Sequence, residues 1–203
     1  MSFDYYWLGR FIDASEHAHI QPLFLAAAAK SRLSAAAQQA IADWRAHPSD
    51  YEEDALRHAS SELIARFNAF CRAFTLPGFM ELFEHVAADD GLNEQTCFSL
   101  LATARHPTVS VLWHALGFER AQALPGQMGN LLLHPKDVEA ALEATRRAFA
   151  GTSGEDLLAA ARRFCSSSVF DGPLREVLNF LPDGLEAALA RKAGFVAVAR
   201  PQR

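Results

Sequence analysis

The sequence predicts a mainly helical α+β domain whose small sheet is formed by strands from its two ends. Three observations carry this. Apolar residues recur every three or four positions through the interior, most clearly at Leu56, Ala59, Leu63, Phe67, Phe70 and Phe74. The run from Phe3 to Leu8 is short and aromatic, which suits a strand. At the other end, Phe195-Val196-Ala197-Val198-Ala199 follows Gly194 and reads as a strand that pairs with the first run or with Leu131 to Leu133.

The elements follow in order. Pro22 to Trp44 is dominated by Ala, Leu, Gln and Lys, which lose little on entering a helix, with a break expected near Ser31 to Ser34. His47-Pro48-Ser49-Asp50 stops that helix, and Ser49 with Glu52 has capping-box spacing for the next, which carries the Phe stripe to Phe74. Pro77-Gly78 interrupts, and Phe79 to Ala88 resumes the helical period before a turn at Asp89-Asp90-Gly91. Leu92 to Ala104 reads as a helix, stopped by His106-Pro107, and Thr108 to Leu116 as another. A loop marked by Gly117, Pro125, Gly126 and Gly129 leads to a short buried strand at Leu131 to Leu133. Helices are then expected up to Ala150, from a Thr152–Glu155 capping box to about Cys165, and in two pieces, Leu174 to Phe180 and Asp183 to Ala193, separated by Pro182. Ser166-Ser167-Ser168 and Asp171-Gly172-Pro173 read as a linker.

The 203 residues, half of them apolar, suffice for one core spanning 1–203, burying roughly 70% of the unfolded surface. The 19 basic and 24 acidic residues are interspersed and leave a net charge of −5, which lacks the footprint of a nucleic-acid binder. Cys71, Cys97 and Cys165 are odd in number and set in apolar context, so reduced core thiols and a cytoplasmic location are expected. The longest apolar run, Leu23 to Ala29, is too short to span a membrane, and no targeting segment is visible.

Candidate chemistry is sparse. Glu16-His17-Ala18-His19 is the best metal candidate, since two imidazoles one residue apart face the same side of a strand or irregular segment. A metal there needs further ligands that the spacing does not supply, and no metal or cofactor is expected. Glu81 and His85, four apart, also lack a third ligand. The three His-Pro pairs, at His47, His106 and His134, stand where helices begin and read as punctuation. Trp113, His114, Phe118, Glu119 and Arg120 are the candidate cleft, because an aromatic, an imidazole and both charges meet where a helix runs into a long loop.

The second half resembles the YfbM-like bacterial proteins of unknown function, through Trp113-His114-Ala115-Leu116 before a glycine-marked loop, then Leu131 to Val138, then a closing helix and strand from Leu185 to Val198. The resemblance implies a mixed α+β domain and supplies no catalytic residues. The leading expectation is a non-enzymatic, immunity-type module that binds one basic protein partner. Its expected surface is the acidic set Asp50, Glu52, Glu53 and Asp54, joined by Asp89 and Asp90. Self-association is a further expectation. The alternative is a small hydrolase or transferase using His114 with Glu119, or His17 and His19 with a metal.

Overall fold

The computed structural model describes residues 4–88, 96–104, 106–165 and 171–201. Four antiparallel strands form one sheet in the order β2-β1-β4-β3, with β1 at Asp4–Ile12, β2 at Cys97–Ala104, β3 at Leu131–Leu133 and β4 at Gly194–Pro201. The strands from the two chain ends are therefore the inner pair, in register from Tyr5↔Pro201 to Ile12↔Gly194. Both predicted pairings of the last strand occur, since β4 also holds β3 along Leu131↔Ala197 to Leu133↔Phe195. Each inner strand is apolar on both faces, as a sheet covered on two sides requires.

The ten helices among the described residues are α1 (Ala14–Lys30), α2 (Ala35–Ala46), α3 (Glu53–Leu56), α4 (Ser61–Ala73), α5 (Gly78–Ala88), α6 (Thr108–Leu116), α7 (Phe118–Ala121), α8 (Val138–Phe149), α9 (Gly154–Cys165) and α10 (Asp171–Arg191). On one face of the sheet lie α6 and α10. Trp7 of β1 stacks on Phe180 at 4.1 Å, and Phe11, Phe98 and Phe195 gather around the same ring. Gly9 is required there, because a Cβ would come within 2.8 Å of Phe180. The other face carries Leu8, Ile12, Val196 and Val198 against Phe79, Leu82, Phe83 and Val86 of α5, with α1 outermost.

Beyond α6 the same apolar core continues between α2, α4 and α9. Trp44, Tyr51, Phe70, Phe74 and Phe164 are all fully buried, with ring centroids 5.0 to 6.2 Å apart in mostly edge-to-face geometry. Each ring contributes about 1.5–3 kcal/mol by burial before entropy is counted.

Several expectations are corrected. The predicted helix over Leu92 to Ala104 is strand β2 from Cys97 onward, with 92–95 lying outside the described residues. Its burial alternates, with Leu100 and Ala102 exposed and Leu101 and Thr103 buried, a period of two that Leu- and Ala-rich composition concealed. The helix expected from Asp50 to Phe74 is broken. Pro48–Tyr51 is a single 3-10 turn, α3 is one turn more, and α4 starts afresh where the Ser60 side chain accepts from the Leu63 amide. Ser49 is thus no capping-box residue. The box that does form is Asp13 with Glu16, at the start of α1. At α9 the cap is Ser153, accepting from the Asp156 amide at 3.1 Å, one residue later than expected. Pro182 does not divide its segment, since α10 runs through it with Leu178, Leu181 and Leu185 buried on either side. Nor is Asp171-Gly172-Pro173 a linker, because α10 begins at Asp171, whereas Ser166 to Ser168 and the turn at 89–91 lie outside the described residues.

Candidate functional site

The predicted cleft residues are brought to one region and then separated by packing. Trp113 is 7% exposed and meets Phe74 edge-on at 5.4 Å. The loop after it closes down on the core: Trp7 Nε1 donates to the Gly129 carbonyl at 2.9 Å, and Asn130 Oδ1 accepts from the Ala199 amide at 2.9 Å. Gly129 sits at φ +81°, where a Cβ would fall 2.4 Å from Val109. The space left under the loop, beside Trp113, Leu124 and Met128, is only about 10 Å³, so the loop forms a lid without a pocket. Phe118 lies under the Arg45 guanidinium at 4.7 Å, and Glu119 pairs with Arg45 and accepts from Gln122. Arg120 stands with Glu119 and Arg147 along a shallow surface groove. The expected pairing of His114 with Glu119 is therefore not formed.

His114 turns the other way, into a chain of polar groups that runs from Trp44 in the core out to Arg163 at the surface. Trp44 Nε1 donates to His114 Nδ1 at 3.1 Å, which places the imidazole proton on Nε2. That nitrogen faces Glu52 Oε1 at 3.6 Å, and the same oxygen accepts from Arg163 Nε at 3.0 Å. The ring stacks on Phe164 at 4.4 Å, with its side chain 3% exposed. Burial pushes its pKa down to about 4, against the opposing pull of Glu52. So weak a base, sealed under rings, is a joint between α2, α3, α6 and α9 rather than a group presented to a substrate. Trp44 and Arg163 were not legible as its partners, because they lie 70 and 49 residues away in sequence.

The acidic set is already engaged. Arg163 takes Glu52, Arg57 takes Glu53 and Asp54 at 3.4 Å each, and Asp50 is exposed. Asp89 and Asp90 lie outside the described residues. Such surface pairs add little stability, but they flatten the negative field expected there.

The same-side placement that made His17 and His19 the best metal candidate is not the one adopted. His17 and His19 lie in α1, where residues two apart point roughly 200° apart. His17 lies edge-on to His134 at 5.1 Å and His19 against His85 at 5.7 Å. Burial, then His134, lowers the His17 pKa. Among the described residues, no group of three or more His, Cys, Asp or Glu is placed to hold a metal. The three cysteines are free thiols, and burial raises the pKa of Cys71 and Cys165.

What sequence reading missed is the outer face of α1. Of its 17 residues only Ile20 and Ala27 are fully buried, while Leu23 is 41% and Leu25 59% exposed. The helix is held at one close crossing, where Gly78 of α5 meets the Ala27 carbonyl so tightly that a Cβ would come within 2.3 Å. Beside the crossing runs a groove of about 300 Å³, floored by Leu23, Ala26 and Leu82 and rimmed by Lys30, Glu81 and His85. A second hollow of about 250 Å³ continues past His85 to His19 and Glu16. Arg10, 3% exposed, anchors this end through Glu16 at 2.6 Å. The signal was present in the composition, since Leu23 to Ala29 is apolar on every side of the helix and no single neighbour can cover it all.

No family model, curated protein or solved structure matches the chain. No helix among the described residues is long and apolar enough to cross a membrane.

Proposed function

We propose that this protein is a binding module of the immunity type, which acts by occupying one protein partner, and that it does so through α1 and the α1–α5 groove. The observation that carries the reading is the exposure of Leu23 in an apolar groove, with Leu25 exposed on the other side of the same helix, which buries little else. The occupant that fits is an amphipathic helix with basic residues flanking its apolar stripe. Its apolar side packs on Leu23, Ala26 and Leu82, and one of its cations takes the place of Lys30, 3.9 Å from Glu81, whose carboxylate is 86% exposed at the rim.

The test is quantitative co-purification from host cells with mass spectrometry, comparing the wild type with L23E/L25E and with E52K/E53K/D54K. One stoichiometric, basic partner lost with L23E/L25E and kept with the triple reversal is the expected result. Retention by L23E/L25E, or loss only with the triple reversal, moves the surface to the α3 acids and overturns this one. No stoichiometric partner for the wild type overturns the binding reading itself.

A further inference from the structure

We propose that the outer edge of β2 is a self-pairing surface, and that two copies of this chain join there across a two-fold axis into one eight-stranded sheet. Four observations support a second copy as the occupant.

The sheet has two edges, and they are treated differently. β3 is three residues long and is backed by α1, so it offers little to a neighbour. β2 is eight residues long, Cys-Phe-Ser-Leu-Leu-Ala-Thr-Ala, with no charge and no proline. Exposed edges are ordinarily blunted by charge, proline, bulges or brevity. Here the only such device among the described residues is a register shift opposite Gly9 and Arg10, which leaves Ser99 to Ala104 regular. Among the described residues, β1 is the only strand that pairs with β2.

The flanking side chains are uncovered on one face. Leu100 and Ala102 stand beside Leu8 and Tyr6 of β1, on the side where α5 packs. That helix lies over β4 and β1, and Leu100 at the outer strand remains 51% exposed.

The strand is also complementary to itself. A two-fold axis normal to the sheet keeps each face on its own side, so only residues of the same face can be opposed. An axis at Leu101, one of the two middle residues of the regular stretch, opposes Leu100 to the partner copy's alanine at position 102, and Ser99 to its threonine at 103. A large side chain meets a small one, and Ser99 comes beside a threonine whose hydroxyl keeps its bonds to His106 and Thr108 of its own chain. Because the strand carries no charge, no like charges are opposed in the pairing.

The β2 edge is independent of the α1 surface, which lies on the helical layer and stays open in such a dimer. Sedimentation equilibrium and register-specific cross-linking test the pairing. The wild type is expected to be a concentration-dependent dimer, and L100K to raise the dimer Kd at least about tenfold with an unchanged circular dichroism spectrum. A102K, at an exposed position, serves if L100K does not fold. In a C97S background, mixed L100C and A102C proteins are expected to form a disulfide heterodimer in far higher yield than either variant alone. A wild type that is monomeric up to about 100 μM overturns the proposal. So does a dimer unmoved by L100K and A102K, or one in which the mixture cross-links no better than its components.

Discussion

At Glu52 one carboxylate oxygen is shared between Arg163, 3.0 Å away, and His114, 3.6 Å away, and this sharing adjusts an imidazole whose state burial decides. Burial holds His114 near 4 in the folded chain against about 6.5 unfolded. The unfolded chain therefore binds the proton more readily, so the stabilisation is complete above about pH 6.5 and is lost as pH falls toward 4. The loss amounts to about 3 kcal/mol at most. Urea unfolding across that window should show the fall in the wild type and a flatter profile in H114Q. Since Glu52 raises this pKa and Arg163 lowers it, E52Q should move the imidazole titration down and R163A up, read by NMR on the His114 ring. Trp7 provides a simpler case. W7F keeps the stack on Phe180 but leaves the Gly129 carbonyl without its indole donor, and should cost about 1–2 kcal/mol in urea unfolding.

Among the described helices longer than a single turn, α1 is the least anchored for its length. With two fully buried residues and an interior Pro22, its amides should exchange with solvent well before those of α10, as hydrogen-exchange mass spectrometry would show. Pro22 is exposed and interrupts the helix ladder, so P22A should raise stability by about 1–3 kcal/mol, measured by urea unfolding. The elements legible in the sequence were those with one uncovered side or firm punctuation. Leu131–Leu133 and Thr108–Leu116 emerged as strand and helix, and each His-Pro pair precedes a helical turn. The break between α1 and α2 fell at Ser31–Ser34 as composition suggested. β2 was not legible, because Leu and Ala favour helix and only pairing with β1 makes them a strand. Pro182 misled for a similar reason, since packing around Leu178 and Leu185 outweighs one missing amide. The cleft was half legible. Its residues are neighbours in sequence, but Trp44, Arg45 and Arg163 decide where they point, and those contacts span tens of residues.

The whole molecule is closed by its last strand. β4 lies between β1 and β3, and Phe195 to Val198 are fully buried. A chain shortened to residue 193 should lose cooperative unfolding, as thermal denaturation followed by circular dichroism would show, because β1 then keeps one neighbour and β3 none. The same arrangement bears on how the molecule is made. On the ribosome, β1 emerges before the strands it pairs with, and its aromatic residues have no sheet to enter until β2 has been synthesised. Its second edge then stays open until residue 201 has cleared the exit tunnel. At synthesis rates of roughly 5–20 residues per second, this leaves the Tyr5 to Ile12 segment exposed for on the order of ten seconds or more, a window in which a holding chaperone has an apolar segment to grip.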